Sequence, residues 1–142
     1  MASHITVRNF QRAVPVNLAA LGKAAEKALS SVLKLRRSGH TTLQRLGEVS
    51  VMLISERRMS ALHRQFLNQT GPTDVITFEH GEIFISVETA RKNARRFGNS
   101  LARELELYIV HGLLHLHGFD DRTADGARRM KQIQEKILAT LN

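Results

Sequence analysis

Apolar positions recur at two periods along this chain, and the switches between them divide it into elements. Residues 5–10 alternate enough for a strand. From 17 to 35 the period lengthens: Leu18, Leu21, Ala25, Leu29 and Leu33 recur at helical steps, with Asn17 placed to cap the first turn and Ser38-Gly39 to close the element. Residues 48–55, EVSVMLIS, return to alternation, with Val49, Val51 and Leu53 on one face. Ser55 and Glu56 then open a helix to about residue 68. Residues 69–72 read as a loop, and DVITF and EIFIS as two short strands joined at hairpin spacing by Glu79, His80 and Gly81.

The remainder is helical. Ser86 caps a helix through residue 96, Gly98 ends it, and Ser100 starts a long helix through LELYIVHGLLHL, whose apolar density suits burial. A final helix over 123–141 turns Met130, Ile133 and Ile137 to the core and leaves Arg128, Arg129, Lys131 and Lys136 on a solvated face. This order predicts an α+β fold: one domain over residues 1–142, with a small sheet of about four strands covered by about five helices. No repeat, low-complexity segment or Pro/Gly/Ser-rich linker interrupts it. A chain of this length buries a sufficient core without disulfide or metal staples.

Composition narrows the function. With no cysteine there is no disulfide framework or thiolate metal site, so a transition metal must be held by histidine and carboxylate. No basic leader precedes a long apolar stretch, and no run approaches the roughly 18 apolar residues of a membrane span, so a soluble cytoplasmic protein is expected. Lys and Arg number 21 against 13 Asp and Glu, a formal +8. The excess sits early: Arg8, Arg12, Lys23, Lys27, Lys34, Arg36 and Arg37 face Glu26 alone within residues 1–40. Such a region favours a polyanion, and nucleic acid ahead of acidic membrane because no apolar anchor accompanies it. Aromatic residues are sparse, so the sequence offers no argument for base stacking.

The chemistry concentrates in HGLLHLHGFDD, residues 111–121. His111 and His115, four apart on a helix, project from one face and can grip one metal ion. Histidines at this spacing also serve as plain structural residues, but two on an apolar face cost desolvation unless a partner answers both. Gly118 stops the helix, and the returning chain can bring the carboxylate of Asp120 or Asp121 to the same ion, leaving coordination open for water. Gly112 costs a helix up to about 1 kcal/mol relative to alanine, which points to a close approach of backbone or substrate. It also stands where a zinc peptidase's HExxH motif has its glutamate base, which argues against that chemistry. His117 falls on a different helical face from His115 and is expected exposed or at a pocket rim.

Residues 111–116, HGLLHL, followed by Gly118, Phe119 and Asp120, resemble the HGxLHLxGYDH signature of the YbeY family of metal-dependent endoribonucleases. PTDVITF at 72–78 and GEIFIS at 81–86 are similar to that family's PTDVLSF and GDIxIS segments. The resemblance covers roughly residues 62–138 and implies a mixed four-stranded sheet. It departs twice: Asp121 stands where the family has its third histidine, and Leu67 where it has an arginine.

The resemblance implies His111, His115 and Asp121 as ligands of one ion, zinc or another divalent metal, with Thr73 and Asp74 as further catalytic residues. Asp120 is alternatively an acceptor orienting a ligand imidazole, and Arg64 or Arg122 would have to replace the missing arginine. The implied activity is hydrolysis of single-stranded or ribosomal RNA during rRNA maturation and ribosome quality control. The implied partners are small ribosomal subunit components and an assembly GTPase, with no membrane. Because of the departures, the alternative is an RNA-binding ribosome assembly factor with weakened or lost catalysis. A small-molecule metallohydrolase would instead need a closed pocket and no use for the early basic residues.

Overall fold

A computed structural model describes residues 4–67 and 73–141. Strand β1 (His4–Asn9) leads into α1 (Leu18–Leu33), a short α2 (Thr42–Arg45), β2 (Glu48–Ile54) and α3 (Glu56–Leu67). Then come β3 (Val75–Phe78), β4 (Glu82–Ser86), α4 (Val87–Phe97), α5 (Leu101–Leu116) and α6 (Ala124–Ala139). The strands form one mixed sheet in the order β1-β2-β4-β3. β1, β2 and β4 run parallel, and β3 returns antiparallel at the edge. The α+β reading and its four strands hold. The described helices number six, because the four-residue α2 is too short to show a period.

The expected caps form. Asn17, Ser86, Ser100 and Thr123 each accept a backbone N–H from the first turn of the helix that follows. Each satisfies a donor that the helix start leaves unpaired. Gly98 ends α4 in the left-handed conformation, and Gly118 takes φ 90° just past α5. The expected loop over 69–72 lies outside the described residues, as does the Leu67 side chain.

One sheet face, carrying Val49, Val51, Leu53, Ile83 and Ile85, packs with α1 and α5 into the main core. α5 is wrapped by α1, α4, α6 and the sheet, which explains a sequence apolar on nearly every side. Gly112 explains how closely it seats. A Cβ there would meet Ile83 Cδ1 at 2.8 Å and Thr77 Oγ1 at 2.9 Å. The close approach expected at this glycine is therefore made by side chains of the sheet, and it presses the His111–His115 turn of α5 against β3 and β4. On the opposite sheet face Ile54 and Ile76 form a smaller cluster with Met59 of α3.

Candidate metal centre

His111 and His115 lie on the face of α5 that borders β3, half-buried, with ring centroids 4.6 Å apart. Their Nε2 atoms face each other at 3.0 Å. Asp121, on the loop after Gly118, brings Oδ2 to 3.6 Å from His111 Nε2 and Oδ1 to 3.8 Å from His115 Nε2. One donor atom from each residue lies within 4.8 Å of the others, and this is the one such histidine–carboxylate group among the described residues.

The hydrogen bonds around the rings test whether this trio fits a cation. Gln134 Oε1, an acceptor only, lies 2.6 Å from His111 Nδ1, so Nδ1 carries the proton and Nε2 presents a lone pair. His115 has a hydrogen bond to the Phe119 backbone. With its Nε2 turned to His111, that bond falls to Nδ1. The two Nε2 atoms and the carboxylate converge on one point, and with both rings neutral this is an arrangement a cation stabilises. Tetrahedral zinc at its usual ligand distances separates donors by about 3.4 Å. The two Nε2 atoms stand 3.0 Å apart, the carboxylate offers Oδ2 to His111 at 3.6 Å and Oδ1 to His115 at 3.8 Å, and with one donor per residue all lie within 4.8 Å, so the group is near that spacing and closes on an ion by a small turn of the Asp121 side chain. Burial, reinforced by the neighbouring His111, holds His115 below the usual imidazole range and favours the neutral ring a metal needs.

His111 and His115 line an open cleft of about 550 Å³, walled on one side by Val75, Ile76, Thr77 and Glu79 of the β3 edge and on the other by Phe119, Asp120 and Arg122, the neighbours of Asp121. Asp74 lies just before β3 and shares a smaller cavity with Tyr108, His111 and Gln134, while Thr73 is half-buried beside it in the chain. Of the two substitute arginines, Arg122 lines the cleft and Arg64 does not.

Three expectations are corrected. Asp120 does not orient a ligand imidazole: its carboxylate accepts from the Arg122 backbone and guanidinium, the interaction that chiefly lowers its pKa. The imidazole-orienting groups are Gln134 and the Phe119 backbone. His117 is neither exposed nor at a rim but fully buried. Its Nε2 donates to Leu35 O at 2.8 Å and its Nδ1 accepts from Thr41 Oγ1 at 2.9 Å, which ties the end of α5 to the α1–α2 connection.

Arg37, read as part of a polyanion-binding surface, instead straps the turn below the site. Its Nε donates to His117 O, a terminal amine donates to Gly118 O at 2.8 Å, and the guanidinium lies over Phe119. These bonds satisfy carbonyls left open at the end of α5. Gln134, and the strapping role of Arg37, escaped the sequence reading because both act across the fold. A polar residue beside the Met130–Ile133–Ile137 stripe of α6 was the available sign of Gln134.

A family model described as Endoribonuclease YbeY matches residues 6–142. The chain belongs to the YbeY family. It is 36% identical over 115 residues to an Endoribonuclease YbeY of Frankia alni, an alignment spanning 67% of this chain and 64% of that protein. It is 32% identical over 143 residues to the one from Heliobacterium modesticaldum, spanning 82% of this chain and 86% of the relative. The Moorella thermoacetica relative is 40% identical over 111 residues, 65% of this chain and 71% of its own. A Thermotoga maritima protein solved in solution superposes with a TM-score of 0.68 at 28% identity, covering 96% of this chain and 88% of that one. Among the described residues no helix is long and apolar enough to cross a membrane. Of the two departures from the family pattern, Asp121 approaches the two imidazoles where the pattern has a histidine, and Leu67, whose side chain lies outside the described residues, replaces an arginine with an uncharged residue.

Proposed function

We infer that this chain is a metal-dependent endoribonuclease that cuts single-stranded RNA in ribosomal RNA maturation and quality control, with one zinc ion held by His111, His115 and Asp121. The convergence of those three side chains, two of which line an open cleft, supports this reading above all. A bound metal supplies Lewis acidity to a phosphoryl oxygen and lowers the pKa of an attacking water. The chain does the rest. Gln134 and the Phe119 backbone fix the two imidazoles, and Arg122 brings a cation to the cleft where charge develops on the phosphate. Asp74, with Thr73 before it, is assigned to orient substrate or water from the side of His111 facing α6.

The basic residues support an RNA track. Arg36, Arg129 and Lys136 line a groove of about 340 Å³ between the end of α1 and α6, and this groove shares Phe119 with the metal cleft. A backbone lying there meets three cations drawn from opposite ends of the sequence. Small ribosomal subunit components and an assembly GTPase are assigned as partners, and the cytoplasm as location, on family membership. RNA binding without catalysis is not favoured, since the curated relatives carry the endoribonuclease name. A closed small-molecule site conflicts with an Asp121 side chain 45% exposed.

The test is metal analysis of purified protein, coupled to cleavage of single-stranded ribosomal RNA fragments with and without chelator. About one zinc per chain, with cleavage lost in chelator and in His111→Ala, is expected. Chelator-resistant cleavage by clean protein overturns the reading.

A further inference from the structure

Aromatic side chains are scarce here, six Phe and one Tyr in 142 residues, and nothing in their sequence spacing suggests a shared role. The fold gathers three of the six phenylalanines from three elements. Phe66 of α3 meets Phe78 of β3 edge-on at 5.5 Å between centroids, and Phe84 of β4 meets Phe78 edge-on at 5.7 Å. The His80 imidazole, from the β3–β4 turn, stacks on Phe78 within 18° of parallel. Phe66 is 55% exposed and the His80 side chain 69%. An apolar core hides such rings; here two planar faces are left to solvent at the margin of the small cluster under α3.

Position says what covers them. β3 carries both halves: Val75, Ile76, Thr77 and the following Glu79 wall the metal cleft, while Phe78 holds the aromatic group. Strand register sets Arg8, Met52, Phe84 and Ile76 in one row across the sheet, so a cation lies along the same face. Of the carboxylates flanking the β3–β4 turn, Glu82 bonds the His80 ring edge and Glu79 accepts from Thr42 Oγ1. The basic groove at α6 lies beside the metal cleft, with which it shares Phe119, while these rings lie past the β3 edge on the other face of the sheet, one surface suited to phosphates and the other to bases, in a protein of formal charge +8. Flat π faces accept any base, which suits an unpaired strand and not a duplex.

We propose that Phe66 and His80, backed by Phe78, form a stacking platform for one or two unpaired RNA bases where a bound strand passes the β3 edge onto the sheet face opposite the metal cleft. This rests on the endoribonuclease reading above and extends it from the phosphate to the bases. A protein partner is the competing occupant of an apolar patch, and the two differ in what they require of the ring.

The chain has no tryptophan, so Phe66→Trp creates a single fluorophore on the platform. Metal-free Phe66→Trp protein is titrated with a single-stranded oligoadenylate and with an abasic oligonucleotide of equal length and charge. Quenching by the first and not the second is expected. Binding by anisotropy should show a preference for oligoadenylate over the abasic strand that falls at least about five-fold in Phe66→Leu and in His80→Ala, from the usual worth of a base–aromatic stack. Phe66→Trp should retain it. Equal quenching by both strands, or a preference unchanged in Phe66→Leu and His80→Ala, overturns the platform and leaves the patch to a protein. Wild-type binding and cleavage are measured alongside. If wild-type neither binds nor cuts RNA, the endoribonuclease reading itself has failed; if it does both while the variants are indifferent, only the platform has.

Discussion

The guanidinium of Arg37 lies 3.8 Å over the centroid of the Phe119 ring while donating to the Gly118 carbonyl, so a residue after α1 fixes the turn from which Asp121 reaches toward His111 and His115. Phe119 is buried beneath it and carries the backbone bond to His115. Arg37→Ala removes the fork and the ring contact together. Zinc affinity should fall about 10- to 100-fold, the usual effect of losing a group that orients metal ligands. Arg37→Lys keeps a charge but neither the two-pronged donor nor the flat contact, and should recover little. Competition against a chromophoric chelator measures both; affinity equal to wild type in Arg37→Ala would mean that the turn holds itself.

Gly112→Ala sets two effects against each other. Alanine gains about 1 kcal/mol of helix propensity. Its Cβ must displace Ile83, fully buried, and Thr77, whose branched side chain has little freedom. Overpacking of this kind costs about 1–3 kcal/mol. The cost should win, lowering the melting temperature by roughly 2–5 °C. A melt at or above that of wild type would show that the sheet yields at no cost.

His115 gives the metal-free protein a pH dependence of definite sign. Burial, then the neighbouring His111, hold its pKa below the ordinary imidazole value, so on acidification the unfolded chain takes up this proton first. The stability at stake is fully present above about pH 6.5, is lost as the pH falls toward the lower folded value, and levels off below that. Melts of chelator-treated protein between pH 7.5 and 5 should decline more steeply for wild type than for His115→Gln. Parallel declines would assign the slope to other groups.

What could be read in advance follows physical range. Caps at Asn17, Ser86 and Ser100 and the stop at Gly98 are local events within a turn, and they stand where the sequence put them. The His111–His115 pair was legible because four residues on a helix define a shared face. His117 was placed correctly off that face but wrongly in solvent, since its acceptor at Leu35 and donor at Thr41 arrive from the α1–α2 connection. Gln134, Arg37 and the Phe66–Phe78 pair are likewise meetings between distant segments, for which periodicity carries no signal.

The basic groove predicts a measurable electrostatic contribution. Replacing Arg36, Arg129 and Lys136 with glutamine should weaken single-stranded RNA binding and reduce the slope of log affinity against log salt by about 0.7 for each phosphate that is no longer neutralised. Arg37 is left out of this set because its hydrogen bonds face the protein. An unchanged slope in the triple variant would remove the groove from the RNA path.

Asp121 carries the last test. Its oxygens stand 3.6 and 3.8 Å from the imidazole nitrogens, and its side chain is 45% exposed against 27% and 30% for the histidines. Aspartate is shorter than histidine, so it reaches the centre only because the loop turns in after Gly118, whose φ of 90° a glycine adopts without strain. If the carboxylate ligates directly, Asp121→Ala should lower zinc affinity at least tenfold with little change in the metal-free melt, because an exposed loop side chain contributes little to packing. Asp121→His should restore the affinity or raise it. Asp121→Asn separates charge from reach, since it keeps the length and one acceptor oxygen while removing the negative charge. His117→Ala should do the reverse of Asp121→Ala, destabilising the fold by about 2–4 kcal/mol through two buried groups left unpaired, with zinc stoichiometry unchanged in the folded fraction. Zinc titration paired with thermal melts distinguishes the two residues. Full zinc affinity in Asp121→Ala would place the carboxylate behind a bridging water and leave His111 and His115 as the protein's only direct ligands.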